Sequence, residues 1–340
     1  MRRVISIVLA FSITLCRPAQ QSAWQDRSSH QIQFVTVADG VRLEVLDWGG
    51  SGRAVVLLAG SGNTAHVFDE FAPKLNASCH VYTSCHVYGI TRRGFGASSQ
   101  PESGYDEQHL ADDILHVLDT LRITAPVLVG HSMAGGEMTV LASRHPDRIS
   151  GLVYLEALFD VADFPASDPA YLALAKKLPQ EEPPAPPTEE ERRSFAAYRA
   201  RQMRMEGFAF PEGELHAGSE TTTDGSKGPY KTPQRIFKLI GDGAMPRDYS
   251  KIRVPVLAIG DAQLAPGDYP AGNSLNVQER ANTDAYRAAT IAFVNRWKKN
   301  LQNGPPSVRF VDLEDAGHYL FLKREAEVVR EVRAFVGGLP

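Results

Sequence analysis

The chain has 340 residues, 43% of them hydrophobic, with a formal net charge of −4 and a pI near 6.2. That composition sustains one large core, or a core with an insertion, and excludes a chain disordered throughout. The Lys and Arg residues are scattered, so no basic stripe for nucleic acid forms; a small-molecule partner fits better.

At the N-terminus, Arg2 and Arg3 precede an apolar run from Val4 to Leu15, with the charge and length of a secretory signal. The run is too short to span a bilayer. Residues 1–23 are therefore expected to direct export to the periplasm or the exterior, leaving no integral span in the mature chain. Lipid attachment at Cys16 is the lesser alternative.

From Ile32 the alternation in IQFVTVADGVRLEVLDWGG predicts two antiparallel strands around an Asp39-Gly40 turn. AVVLLAG (54–60), PVLVGHS (126–132), GLVYLEAL (151–158), VPVLAIG (254–260) and VRFVDLE (308–314) are apolar with little alternation, as expected of strands buried on both faces of a parallel sheet. Helical stripes lie between several of them, such as Leu110, Ile114, Leu118 and Leu121, and Val328, Val329, Val332 and Phe335 near the end. The pattern predicts an α/β fold with an open, mostly parallel sheet. Its core is expected over 30–159 and 251–340.

Residues 160–250 carry no buried-strand signal and are expected to be a helical cap insertion. Pro183, Pro184, Pro186 and Pro187 stiffen a linker, and Thr188 with Glu191 forms a capping box opening a helix. The Met and aromatic side chains of SFAAYRARQMRMEGFAF are expected to pack. An inserted helix above a sheet is also a usual pocket wall.

A tandem copy, SCHVYTSCHVYG (78–89), sets Cys79 and His80 six positions before Cys85 and His86. One copy is the strand before ITRRGFG, and the other lengthens the loop ahead of it. Side chains alternate across an extended segment, which argues against a zinc site. A Cys79–Cys85 bridge requires the chain to double back near Thr83.

In PVLVGHSMAGGE, Ser132 lies between a buried strand and a helix, flanked by Gly130 and Ala134. A nucleophile on so sharp a turn needs small neighbours, because larger side chains would strike the backbone that throws its oxygen outward. The N–H of Met133 at the helix start can face an oxyanion. A second donor, the N–H of Ser61, is offered by the Gly60–Gly62 turn at another strand's carboxyl end, where open sheets bind ligands. Serine needs a base, and His318 in EDAGHYLFL follows the last strand on the same edge. His131 should point away from the site. His66, His109, His116, His145 and His216 are expected on polar surface. The base needs an acid: Glu156, enclosed by apolar residues at a strand end, is favoured over Asp261. Asp312 and Asp315 are expected to be solvated.

Together GITRRGFGASS, GHSMAG, RVPVLAIG and DAGHYLF resemble, in this order, the motifs of the α/β-hydrolase superfamily. The resemblance runs from about residue 32 to 340. It implies a Ser-His-acid hydrolase with a helical cap after the sixth strand. In some members the acid follows that strand, where Glu156 falls. Ala59 replaces the His that many members carry before the glycine of the oxyanion loop.

The expectation is an exported serine hydrolase acting on a small-molecule carboxylic ester through Ser132, His318 and Glu156 (alternative acid Asp261), with Ser61 and Met133 as the oxyanion hole and no cofactor or metal. Amide, lactone or thioester cleavage and acyl transfer stay open on the same triad. A noncatalytic binding protein of this fold is the alternative of another class.

Overall fold

The computed structural model describes residues 24–76, 85–163, 168–179, 185–261 and 275–340. The expected leader with Cys16, the Cys79-His80 copy, Pro183 and Pro184 lie outside them. The hairpin is Gln31–Ala38 (β1) and Val41–Gly50 (β2), turning at Gly40 with φ +68°. Next come Arg53–Leu58 (β3), Ala72–Asn76 (α1), Cys85–Ile90 (β4), Glu107–Thr120 (α2), Val127–His131 (β5), Ala134–Arg144 (α3) and Gly151–Leu155 (β6).

The chain then leaves the sheet for Pro169–Ala175 (α4), Glu189–Arg193 (α5), Phe195–Glu206 (α6), Glu212–Gly218 (α7), a ribbon of Ser219–Thr221 (β7) and Lys227–Tyr230 (β8), and Gln234–Asp242 (α8). It returns through Val256–Asp261 (β9), Val277–Gln302 (α9), Val308–Leu313 (β10), Leu320–Lys323 (α10) and Glu325–Gly337 (α11).

The eight-stranded sheet has the order β1-β2-β4-β3-β5-β6-β9-β10. β1 with β2 and β2 with β4 are antiparallel, and the other pairs are parallel. Central strands lack alternation because each face has its own apolar layer. Val56, Leu58, Leu128, Leu152 and Tyr154 join α2 and α3 on one side. Val55, Leu57, Val127, Val129, Val153 and Leu155 join Phe68, Phe71 and α11 on the other. Period-two side chains thus feed two cores in turn.

Several expectations need correction. β10 is an edge strand, and only Leu313 in it is buried. Among the described residues β9 alone pairs with it, which an apolar run cannot foretell. The helix of SFAAYRARQMRMEGFAF stops at Glu206 because Gly207 adopts a left-handed cap, and Met203 and Met205 are exposed rather than packed. The Thr188–Glu191 capping box forms, opening α5. The 26-residue α9 was not anticipated, although Asn276 and Glu279 cap it. Cys85 is buried in β4, whereas the neighbouring His86 bonds Asp47 Oδ1 at 2.8 Å. The two side chains part to opposite faces. No helix of the described residues is long and apolar enough to cross a membrane.

Candidate active site

β5 ends at His131, α3 begins at Ala134, and Ser132 bridges them with φ +54°, a left-handed conformation rare for a residue with a side chain. The turn is pinned by Ser132 N–H to the Leu155 carbonyl (3.1 Å) and Gly135 N–H to the Ser132 carbonyl (3.0 Å). Small neighbours are required: a Cβ on Gly130 would sit 2.7 Å from the Met138 side chain and 3.1 Å from Ala134 Cβ. Such strain is characteristic of functional turns.

His318 reaches this serine from 186 residues downstream, with its Nε2 3.0 Å from Ser132 Oγ. The ring edge is open to solvent, yet the atoms crowding it lower its pKa, favouring the neutral form a base needs. The preceding residues fix the ring's approach. Ala316 and Gly317 donate their N–H groups to Asp261 Oδ2 at 3.0 and 2.7 Å.

The two candidate acids meet at the ends of β6 and β9. Glu156 takes φ +45°, and its Oε1 accepts the Asp261 N–H at 2.9 Å. Gly260 gives this carboxylate room, since a Cβ there would lie 2.7 Å from Oε1. Burial pushes the Glu156 carboxyl up to about 8. The hydrogen bonds of the described residues take neither carboxylate to the His318 ring: Asp261 carries the loop, and Glu156 carries Asp261.

His131 is the neighbour that sequence reasoning set aside. It does turn inward, but its Nε2 lies 2.8 Å from the His318 carbonyl and its ring 4.6 Å from the His318 ring. Burial pushes it down to about 3, so it is a neutral donor steadying the base's backbone. His66 is corrected too: it is buried, whereas His109 and His116 are on the surface of α2. His216 is held between Trp24 and Phe195.

The Gly60 turn passes against the serine, as a Cβ on Gly60 would meet Ser132 Cβ at 3.1 Å and His131 Nδ1 at 2.7 Å. Among the described residues, the N–H groups of Ser61 and Met133 have no protein acceptor. Buried supports hold this turn. Arg92 donates to the Ala59 carbonyl at 2.8 Å while forking onto Glu137 of α3 at 2.6 and 2.9 Å. Glu214 of α7, wholly enclosed, accepts Asn63 Nδ2 at 2.9 Å, Thr64 N–H at 3.1 Å and the Thr64 hydroxyl. The Tyr319 hydroxyl donates to Asn63 Oδ1 at 3.0 Å. Arg92 lies within GITRRGFGASS, just before its Arg-Gly-x-Gly-x-Ser pattern, but nothing local in the sequence marks Glu214.

Around the serine the surfaces are apolar. Met133 and Phe237 of α8 both pack against the cluster of Phe95, Tyr105, Ile236 and Ile240, while Phe208 and Phe210 lie 5.3 and 5.0 Å from the Tyr319 ring. A separate hollow of about 490 Å³, lined by Arg53, His86, Tyr88 and Arg122, opens at the amino ends of β3 and β4. It is on the edge opposite the serine.

The model of the alpha/beta hydrolase family matches residues 55–331. The chain belongs to that family. A bifunctional esterase/perhydrolase of Acinetobacter calcoaceticus is 30% identical over 128 residues, 37% of this chain and 44% of the relative. A non-heme haloperoxidase of Rhodococcus erythropolis is 35% identical over 112 residues, 33% and 39% of the two chains. The chain thus spans about two-fifths of the length of the curated relatives it matches. In fold, it is similar to the crystal structure of E-2-(acetamidomethylene)succinate hydrolase, with a TM-score of 0.57 at 18% identity, covering 90% of this chain and 99% of that one.

Proposed function

We propose that the chain is a serine hydrolase cleaving a carboxylic ester of a small or medium-sized substrate through an acyl-enzyme. The observation that carries this reading is the 3.0 Å approach of His318 Nε2 to Ser132 Oγ on a strained turn. Ser132 Oγ attacks the carbonyl carbon as His318 takes its proton, and the oxyanion is received by the N–H groups of Ser61 and Met133. Collapse breaks the bond to the leaving alkoxide, which takes the proton from His318. Water then attacks the acyl-serine, giving its proton to His318, and the acid departs as Ser132 is reprotonated.

Ester cleavage is supported by the esterase named among the relatives, and the apolar side chains of Met133, Phe237 and Phe208 suit an apolar acyl or alkyl group. Residues 160–250 are assigned the role of cap, α7 and α8 supplying its contacts to the oxyanion turn and to Met133. Glu156, the acid the sequence favours, is assigned to the base through Asp261, whose N–H it accepts and whose carboxylate holds the His318 loop.

Purified chain is to be assayed on p-nitrophenyl esters of rising acyl length beside an amide and a lactone panel. Ester turnover abolished by Ser132→Ala supports the reading. Faster amide or lactone turnover, or ester turnover untouched by that substitution, overturns it. For the acids, Glu156→Gln should lower kcat about 10²-fold or more, and Asp261→Asn less. A folded Asp261→Asn variant that alone loses turnover reverses the assignment.

A further inference from the structure

Away from the serine, four ligand-type side chains converge beneath α7. Asp26 and His30 come from the segment before β1, and His66 and Asp69 from the turn that follows the oxyanion loop; one ligand atom of each lies within 4.8 Å of the others. The pairs are closely spaced. Asp26 Oδ2 is 3.4 Å from His66 Nδ1 and 3.5 Å from His30 Nε2, and His66 Nδ1 is 3.2 Å from Asp69 Oδ2. Ligands about 2.0–2.1 Å from a tetrahedral zinc ion are separated by about 3.3 Å, so three edges are already near that length.

Each imidazole has a carboxylate near its second nitrogen. His30 Nδ1 lies 2.8 Å from Asp69 Oδ1, leaving Nε2 to face Asp26, and His66 Nε2 lies 3.6 Å from Glu44 Oε1. A carboxylate behind each ring is the arrangement that orients metal-binding histidines. Side chains of His30 and Asp69 are 2% exposed and that of Asp26 21%, so the cluster is closed except on the Asp26 side, an entry path.

An independent observation comes from α7. A Cβ on Gly213 would stand 2.5 Å from Asp69 Oδ2, 3.3 Å from His66 Nδ1 and 3.4 Å from Asp26 Oδ2. Gly213 does not have a left-handed φ, so its backbone does not require glycine. Space does: the missing side chain leaves a cradle among three of the candidate ligand atoms.

We propose that Asp26, His30, His66 and Asp69 bind one divalent transition-metal ion of the zinc type, seated under Gly213. The ion is structural. It ties the segment before β1 to the turn behind the oxyanion loop, with α7 resting above. Three carboxylates, Asp26, Asp69 and Glu44, face the two imidazoles here, so a dication would offset two of their three negative charges.

The test uses the full chain, stripped with EDTA, dialysed, and titrated with Zn²⁺ alone, reading bound metal by mass spectrometry and the thermal midpoint. Expected are about 1 Zn²⁺ per chain and a midpoint raised by about 5 °C or more. Both should be lost in His30→Gln and in Gly213→Ala, and the stoichiometry kept in His318→Ala. Uptake below about 0.1 per chain by the wild type overturns the proposal and leaves a cluster held by its own hydrogen bonds. Uptake that survives His30→Gln and Gly213→Ala, or that vanishes in His318→Ala, also overturns it by placing the metal elsewhere. Because the wild-type titration decides the first point, a variant that fails to fold does not rescue the idea.

Discussion

Removing the Glu214 carboxylate should loosen the oxyanion turn from a distance. Glu214→Ala leaves Asn63 Nδ2, Thr64 N–H and the Thr64 hydroxyl without their acceptor in a place water does not reach. Each buried unsatisfied donor costs about 1–3 kcal/mol; with shared relaxation the loss should come to about 3–5 kcal/mol. For a chain of this length that corresponds to a fall in thermal midpoint of roughly 4–7 °C. The Gly60–Ser61 backbone hangs from the same turn, so kcat should fall about 10²-fold with KM changed less. Glu214→Gln keeps an oxygen for Asn63 and the Thr64 N–H and can offer its amide to the Thr64 hydroxyl, so it should cost only about 1 kcal/mol.

The two variants also differ from wild type in pH response. Burial pushes the Glu214 carboxyl up to about 7 from its ordinary 4.5. Between those values the native state holds a proton that the unfolded state has released, so stability is greatest below pH 4.5 and falls as pH rises through 7. The total is about 3 kcal/mol. Urea unfolding at pH 5 and pH 8 should show wild type losing about that much relative to Glu214→Gln. Identical pH dependence for the two proteins, or a Glu214→Ala enzyme with unimpaired kcat, refutes the reasoning.

Ser132→Gly should abolish turnover yet raise stability by about 1–2 kcal/mol, because glycine takes φ +54° without the cost a side chain bears; chemical denaturation checks it against Ser132→Ala. Arg92→Met strands the buried Glu137 carboxylate and frees the Ala59 carbonyl, so it should destabilise by about 3–5 kcal/mol. The double change Arg92→Met with Glu137→Leu should recover much of that in stability, and calorimetry of the three proteins separates the terms.

The chain's local rules made the nucleophile easy to find. Gly130 and Ala134 betray Ser132 because a tight strand-to-helix turn excludes bulk on both sides, and the apolar runs of β3, β5, β6 and β9 are what two-sided burial demands. His318 followed from its place after the last strand. Less could be read where the cause is non-local. β10 has an apolar sequence but an edge position, which only strand order reveals. Asp26, His30, His66 and Asp69 look like ordinary polar residues until folding joins the segment before β1 to the turn after Gly60. The buried stripe of α9, Thr283, Tyr286, Thr290, Phe293, Trp297 and Leu301, has helical spacing, but its two threonines disguise it among apolar positions.

Gly213 and Glu214 are consecutive in α7, one beside the Asp26–Asp69 cluster and the next buried in the turn that presents Ser61. Selectivity engineering by exchanging the excursion between β6 and β9 for a homologous one is therefore not a neutral graft. A donor lacking this dipeptide would take a hinge pin out of the catalytic face, and chimeras should retain residues 212–215 from the recipient while varying the aromatic positions around them.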